Sequence, residues 1–458
     1  MEDLNVNEFD WGLYPEAEEL IQKNVDLFLS KNAMAAKLAG KLPGETSTRF
    51  MDWIDHIEVP ESAISYEQLE KAGFTEVKVR GKVPDGAKVF RHTKTYLMPI
   101  LIHRGKEFEI ALKPEEIDDL MQVVGLGLNV EGEPFAPFRK AVLRKEGEYV
   151  LSAVERRGYD GFVVEESSRD VKKYIRMLST FFGRQRYFGS DKDGMEYTAR
   201  LVKKAVGEIK SERVADAFFR TERVYWQSRN RAGQVQHSRQ QKFGMGWGNH
   251  DHHTFRSSRE NFKAMINIWE SMGYICREQF YAGKEAGWGA QVMEHPVCEI
   301  VLFTDVDLSD EETKVDFAHE GLKHNPRLGT VGLWVGLHGE SILQAGMHHL
   351  EARFDFEKLR NDLESYGVKV MKPFSDFNFL KQAFTVGDSW AVDTARLDKL
   401  LKDGSITSEH YQKFKVDGAI GSHMEDLQRR GGFKGFNKAS VTDIITATDP
   451  RAQGRSGA

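Results

Sequence analysis

The strongest constraint on the fold of this chain is an internal repeat in its second half. A strand-like segment at 252–258 precedes a helical segment that ends at Gly273, and a similar segment at 349–354 precedes one that ends at Gly367. Both strand-like segments read His-x-x-x-Arg. A repeat of this size indicates two copies of one structural unit packed side by side.

The first copy has a clear order of elements. Its helix carries a Ser-x-x-Glu capping box at 257–260, and apolar residues recur at helical spacing from Phe262 to Met272. Three strand candidates follow, so the predicted order is β-α-β-β-β. The second copy has later strand candidates at 368–371, 380–386 and 419–427. We therefore predict an α+β fold in which paired βαβββ units form a curled mixed sheet around a cleft.

The rest of the chain gives weaker signals. Residues 250–440 form the predicted paired domain, and residues 1–240 form a mixed α/β region of unknown role, with a helix expected at 16–39. The polar, glycine-rich stretch 232–249 is expected to be a linker or a loop over a site. The tail 449–458 is expected to be disordered.

Composition excludes several classes of function. Of the 458 residues, 64 are Lys or Arg and 70 are Asp or Glu, so the net charge of -6 does not favour a nucleic-acid ligand. No run of 18 apolar residues is present, so no membrane span is expected. Two cysteines and an acidic first segment without a signal-peptide pattern indicate a reduced, cytoplasmic protein.

The repeat also suggests a metal site. Paired units present equivalent first-strand positions to the cleft, and those positions carry His252 and His349. The candidate third ligand is Glu425 on a late strand, with Glu351 as its main rival. Two imidazoles and one carboxylate on one face of an ion suit Fe(II), because the opposite positions stay open.

Each candidate histidine has a histidine neighbour, His253 in the first segment and His348 in the second. Neighbouring strand residues face opposite ways, whereas residues i and i+4 share a face. The pairing with Arg256 and Arg353 therefore favours His252 and His349. Both arginines are expected to hold a substrate carboxylate, with Arg256 as the main clamp.

Three segments resemble the 2-oxoadipate dioxygenase/decarboxylase family, which is related to the vicinal-oxygen-chelate enzymes. They are DHHTFRSS at 251–258, HHLEARF at 348–354 and MEDLQRRG at 424–431. The resemblance implies that His252, His349 and Glu425 bind a non-haem iron and that Arg256 contacts a substrate carboxylate. It also implies a reaction that converts a 2-oxo acid and O2 into a 2-hydroxy acid and CO2.

The predicted function is thus an Fe(II)-dependent dioxygenase and decarboxylase of a small, 2-oxoadipate-like acid. Another enzyme on the same metal scaffold is an alternative, either a ring-cleaving dioxygenase or a glyoxalase-like isomerase. A metal-free ligand-binding protein is a further alternative. Oxygen uptake, CO2 release and metal content distinguish these possibilities.

Overall fold

A computed structural model describes residues 11–125, 127, 129–165, 168–437 and 449–452. Two mixed β-sheets and the helices around them account for these residues. The C-terminal sheet contains the predicted repeat. The N-terminal sheet has the same strand order, although its sequence shows no comparable motif.

The C-terminal sheet confirms the predicted fold class. Its first unit contains β9 (His250–Arg256), α9 (Phe262–Ser271), β10 (Ile275–Tyr281), β11 (Trp288–Glu294) and β12 (Val301–Asp307). Its second unit contains β13 (His349–Arg353), α12 (Phe356–Ser365), β14 (Ser375–Phe377), β15 (Leu380–Phe384), β16 (Asp388–Trp390) and β17 (Ala419–Arg429). The strand order is β10-β11-β12-β9-β13-β17-β15-β14, and β16 pairs with β17. The two units therefore meet at the β9–β13 pair.

The N-terminal sheet repeats this arrangement inside the region of predicted unknown role. Its first unit contains β1 (Ile54–Pro60), α3 (Tyr66–Lys71), β2 (Thr75–Val77), β3 (Lys88–Arg91) and β4 (Ile100–His103). Its second unit contains β5 (Phe108–Leu112), α4 (Ile117–Val124), β6 (Val130–Glu131), β7 (Phe138–Glu146) and β8 (Tyr149–Arg156). The order β2-β3-β4-β1-β5-β8-β7-β6 places the junction at the β1–β5 pair.

Helices cover one face of each sheet. The N-terminal pair is α1 (Pro15–Lys31) and α2 (Ala33–Thr46), and four helices link the sheets: α5 (Ser168–Phe182), α6 (Asp191–Glu208), α7 (Ser211–Gln227) and α8 (Arg231–Gln241). The C-terminal part adds α10 (Phe317–Glu320), α11 (Thr330–His338), α13 (Thr394–Lys402) and α14 (Ser408–Asp417). Alternate strand residues such as Phe255, Leu350 and Met424 join the buried core beneath the helices. The opposite face carries the polar residues of the β9–β13 junction beside a second apolar cluster that includes Phe280, Trp288 and Phe303.

Several local predictions were wrong. The expected helix 16–39 is divided at Asn32, whose side-chain oxygen accepts from the Ala35 backbone N–H at 3.0 Å and starts α2. The predicted loop 232–249 is largely the helix α8. Its polar residues are buried and bonded, as when Gln236 donates to the Thr46 carbonyl at 2.8 Å. Residues 368–371 contribute only an isolated bridge at Val370.

The predicted capping box was also wrong. The helix α9 begins at Phe262, and its N-cap residue Asn261 makes no side-chain capping bond. The Ser258 hydroxyl and the Asn261 amide both donate to the buried Glu340 carboxylate instead. The carboxylate of Glu340, which is distant in the chain, thus takes the hydrogen bonds that the predicted capping box would have made locally.

The described C-terminal residues are ordered by local and tertiary contacts. Residues 450–452, which were assigned to a disordered tail, form a 3-10 turn, and Thr330 donates to Asp449 at 2.8 Å. Residues 453–458 of that predicted tail lie outside the described residues. Among the described residues, no helix has the length and apolarity needed to cross a bilayer.

Candidate metal centre

The candidate ligands converge because three neighbouring strands are in register at the junction of the C-terminal sheet. His252 on β9 lies opposite Glu351 on β13, and Glu351 lies opposite Glu425 on β17. Residues i and i+2 of a strand share a face, so His349 points the same way as Glu351. Four potential ligand side chains therefore occupy one patch of the polar face.

The predicted trio is close enough to share one ion. One donor atom each from His252, His349 and Glu425 lie within 4.8 Å of one another. His349 Nε2 is 3.1 Å from Glu425 Oε2. Glu351 Oε2 contacts His252 Nε2, and Glu351 forms a second group of possible ligands with Asp251 and His252. All four side chains are buried, and Glu351 is 0% exposed.

Neighbouring polar groups orient these side chains. The Gln382 amide donates to Glu425 Oε1 at 3.0 Å and to Glu351 Oε1 at 3.2 Å. The Thr254 hydroxyl lies 2.7 Å from His349 Nε2. Hydrogen bonds such as those from Gln382 fix the directions of carboxylate ligands in known metal sites.

The electrostatics of the cluster favour a cation. Burial raises the pKa of Glu425 to about 7, and burial together with Glu425 raises the pKa of Glu351 well above its usual value. Burial lowers the pKa of both His252 and His349, which keeps the imidazoles neutral. Among the described residues, no lysine or arginine forms an ion pair with either glutamate. The two buried carboxylates lie beside neutral imidazoles without a cation in direct contact, although the charge of Arg429 acts on both.

The unpartnered atoms of the cluster also fit a bound ion. Glu351 Oε2 and His252 Nδ1 have no hydrogen-bond partner among the described residues, and the same holds for Gln382 Oε1. The donor set of imidazole nitrogens and carboxylate oxygens suits a first-row transition metal.

The cluster opens into a cavity with about 620 Å³ of empty space, including its mouth. Aromatic side chains form much of the wall: Phe280, Trp288, Phe303, Phe374, Phe384 and Phe436. Arg256 and Asp305 supply polar groups at the same wall. A small, largely apolar pocket with few polar groups is typical of a small-molecule site.

Arg256 has capacity for a ligand. Its Nε lies 3.5 Å from Asp305 Oδ2, and its Nε and Nη1 make no hydrogen bond within the described chain. Arg256 is 5% exposed and its guanidinium lies 5.5 Å from the Trp334 ring centroid. Burial raises the pKa of Asp305 to about 7. The weak contact with Asp305 leaves a buried guanidinium able to pair with an anion.

Arg353 requires a correction, because it does not line the metal cavity. It lines a second cavity between the two sheets, and its Nε lies 3.8 Å from Asp251 Oδ2. The reason is the antiparallel pairing of β9 with β13. The two His-x-x-x-Arg motifs run in opposite directions, so Arg256 and Arg353 lie on opposite sides of the metal cluster.

The structure separates His253 from His252, but it leaves His348 and His349 at the same cavity. His253 faces the helix layer, where Arg223 Nη1 lies 3.3 Å from its Nε2 and Phe219 packs against its ring. His348 lines the metal cavity, and its Nδ1 lies 2.9 Å from His349 Nδ1. Sequence reasoning missed Thr254 and Gln382. The period of two from His252 could have indicated Thr254, whereas Gln382 required knowledge of the β15–β17 pairing.

Comparisons with known proteins give limited information. No family model matches the chain, and no curated protein matches it. A mutant 4-hydroxymandelate synthase from Streptomyces coelicolor aligns with 90% of this chain and 99% of its own, at 11% identity and a TM-score of 0.28. Methylmalonyl-CoA epimerase from Mycobacterium tuberculosis aligns with 40% of this chain and 88% of its own, at 12% identity and a TM-score of 0.23.

A third solved structure is a fusion of a xylose isomerase-like TIM barrel with a 4-hydroxyphenylpyruvate dioxygenase. It aligns with 89% of this chain and 53% of its own, at 11% identity and a TM-score of 0.24. Similarity at this level does not indicate the function of this chain. The function is therefore inferred from the geometry of the site.

Proposed function

We propose that this protein is an Fe(II)-dependent dioxygenase and decarboxylase that acts on a small 2-oxo acid, with His252, His349 and Glu425 as metal ligands. One observation carries the proposal: three buried donor groups from three strands lie within 4.8 Å of one another at the wall of a small cavity. Bound Fe(II) would supply the Lewis-acid and redox chemistry that couples decarboxylation of the acid to hydroxylation.

The number of ligands favours this class of reaction. A set of three protein ligands would leave room on Fe(II) for small molecules. Bound Fe(II) would then supply chemistry that suits a reaction between a 2-oxo acid and O2. The overall reaction balances, because a 2-oxo acid and O2 give CO2 and a 2-hydroxy acid that is one carbon shorter.

The chain's own residues would bind and orient the substrate. Arg256 is the proposed clamp for a carboxylate remote from the metal, since its buried guanidinium has free donors facing the cavity. The aromatic wall would exclude water from the reacting centre. Gln382 and Thr254 act as positioning residues, because they contact the proposed ligands rather than the substrate.

Glu351 makes a glyoxalase-like isomerase the second candidate. Its carboxylate contacts His252 and shares the Gln382 amide with Glu425. If Glu351 were a fourth protein ligand, the metal would have less room for an acid together with O2. The role of Glu351 thus distinguishes a dioxygenase from an isomerase.

The test is anaerobic loading with Fe(II), followed by an O2-uptake screen over 2-oxo acids of increasing length. The proposal predicts O2 uptake in step with CO2 release, and loss of both in His349→Ala. Turnover of a substrate without O2 uptake would favour the isomerase. O2 uptake without CO2 release would favour ring cleavage. Iron content near zero that cannot be restored would favour a metal-free binding protein.

A glutamate pair of variants sharpens this test. Glu425→Gln should lose iron and activity together. Glu351→Gln should keep iron and O2 uptake if three ligands hold the metal. Loss of iron in Glu351→Gln but not in Glu425→Gln would show that Glu351 is the carboxylate ligand.

A further inference from the structure

A second cavity lies between the two sheets, on the far side of the metal cluster. Its walls come from both sheets. The N-terminal sheet contributes the ends of β1, β3 and β5, and the C-terminal sheet contributes the ends of β9, β13 and β17. Phe436 separates it from the metal cavity and lines both. The Phe436 ring packs against His252 at 5.1 Å, and the Arg429 guanidinium lies 5.4 Å from the same ring.

The charges on this wall do not balance. Six lysine and arginine side chains line the cavity against four carboxylates. Each carboxylate already has a cationic partner. Asp55 pairs with Arg156 at 2.8 Å and Asp251 pairs with Arg429 at 3.2 Å.

The other two carboxylates are also paired. Glu294 pairs with Arg277 at 3.2 Å and with Lys434 at 3.0 Å. Glu299 forms an ion pair with Arg91. None of these ion pairs includes Lys113.

Lys113 and Arg353 hold the unmatched charge. Lys113 directly follows β5 in the chain and lines the cavity. Its side chain makes no hydrogen bond and no ion pair within the described part of the chain. Burial lowers the pKa of Lys113. Arg353 reaches only Asp251, at 3.8 Å, and its Nε has no hydrogen-bond partner among the described residues.

A third donor faces the same space. His250 lines the cavity, and its Nδ1 is buried without a hydrogen-bond partner within the described ranges. The Lys113 ammonium, the loosely paired Arg353 guanidinium and the His250 imidazole would each gain from an anionic oxygen. The sheets supply these groups from opposite sides, since Lys113 belongs to the N-terminal unit and the other two to the C-terminal unit.

We propose that the cavity between the sheets is an anion-binding site, in which Lys113, Arg353 and His250 bind a small ligand with phosphate or carboxylate oxygens. This site is separate from the metal centre and goes beyond the proposed oxygenase reaction. The bound anion would bridge the N-terminal and C-terminal sheets, since Lys113 belongs to one and Arg353 to the other.

The test is isothermal titration calorimetry of the full chain, metal-free and iron-loaded, with inorganic phosphate and with glutarate as separate probes. Glutarate has two carboxylates but no 2-oxo group to chelate a metal. The proposal predicts saturable binding of one anion per chain for at least one probe. The probe that binds identifies the ligand as phosphate-like or dicarboxylate-like.

Variants locate the binding. Lys113→Met should weaken binding at least about tenfold, the loss expected for one charge-assisted contact. Lys113→Arg should retain most of it. Lys41→Met, at an exposed lysine of α2, is the matched control and should change nothing. Arg353→Gln should also weaken binding, and circular dichroism would establish that each variant is folded.

Two results would overturn the proposal: no binding of either probe at millimolar concentration, or binding that Lys113→Met leaves unchanged. The His349→Ala variant keeps this test independent of the metal. The anion site predicts that His349→Ala still binds the probe while it loses iron. Loss of iron binding and loss of anion binding can therefore be observed separately.

Discussion

The two sheets share one strand order but treat their central junctions differently. At the C-terminal junction, His252 lies opposite Glu351, and Glu351 lies opposite Glu425. At the N-terminal junction, Glu58 lies opposite Glu109, and His56 is two residues before Glu58 on the same face. Both sheets therefore place histidine and carboxylate groups at equivalent sites.

The difference lies in the counter-charge. In the N-terminal sheet, Lys140 donates to Glu109 at 2.8 Å, and Ser152 also donates to this carboxylate. In the C-terminal sheet, Glu351 and Glu425 have no such cation among the described residues. In the N-terminal sheet the Lys140 ammonium neutralises the buried carboxylate. A bound metal ion would do the same in the C-terminal sheet.

The space above the two junctions differs as well. Phe162 packs on the His56 ring at 4.9 Å, and Arg156 stacks on Phe162 while it pairs with Asp55. The C-terminal junction opens into the aromatic cavity instead. The comparison teaches that the fold supplies a junction, and that counter-charge and free space decide whether the junction can bind a metal.

The largest expected effect separates the sheets by metal content. His252→Ala and His349→Ala should each abolish stoichiometric iron binding and turnover, because two of three ligands cannot hold the ion. His56→Gln, the corresponding change in the N-terminal sheet, should leave the iron content unchanged. Elemental analysis of anaerobically loaded protein checks both, and full iron in His349→Ala would refute the ligand assignment.

The next effect concerns substrate binding in the C-terminal cavity. Arg256→Met should lower kcat/KM by about 100-fold, the loss expected for a buried charge-assisted pair, while iron content stays the same. Steady-state O2 uptake measures it. Arg104→Met, at an arginine in the N-terminal sheet region that is 88% exposed, is the control and should have no effect. Equal losses in both variants would contradict the clamp.

A stability prediction concerns the ammonium in the N-terminal sheet. Lys140→Met should lower the free energy of unfolding by about 1–3 kcal/mol, because Glu109 would stay buried without its cation. Chemical denaturation measures this loss. Glu109→Gln in the same chain should restore part of it, and iron binding should not change. An additive double variant would show that the pair is not coupled.

The smallest effect is a difference in pH dependence. Burial raises the pKa of Glu425 to about 7, so the metal-free folded chain holds a proton that the unfolded chain has released. Stability from this group is present below about pH 4.5 and is lost as the pH rises towards 7. Glu425→Gln should remove this loss in thermal unfolding scans of metal-free protein.

Glu109 should behave in the opposite way. Burial raises its pKa, but Lys140 and His56 outweigh burial, so the pKa lies below 4.5. Its contribution is present above about pH 4.5 and is lost as the pH falls. The same pH direction in Glu425→Gln and Glu109→Gln difference curves would contradict the proposed contrast between the junctions.

The sequence predicted the C-terminal sheet because its motifs repeat. The His-x-x-x-Arg spacing indicated His252 and His349, and the late strand indicated Glu425. The same spacing misplaced Arg353, because a motif does not reveal that its two copies run antiparallel. The role of Glu351 also depends on strand register, which fixes its position opposite His252.

The N-terminal sheet could not be predicted in the same way. Its strands β2 and β6 have three and two residues, too few for a visible alternation. The helix α8 resembled a loop because its Gln236, Arg239 and Gln240 are buried through tertiary hydrogen bonds, which no local pattern encodes. Hydrogen-bond partners distant in the chain, at Thr46 and Ser47, stabilise the helix α8.

The most direct test of the central claim is an anomalous difference map at the iron absorption edge, from a crystal of anaerobically iron-loaded protein. We expect one strong peak per chain, within bonding distance of His252, His349 and Glu425 in the C-terminal sheet. A peak at the N-terminal junction, at the surface group of Glu270, Cys276 and His319, or at no site would contradict it.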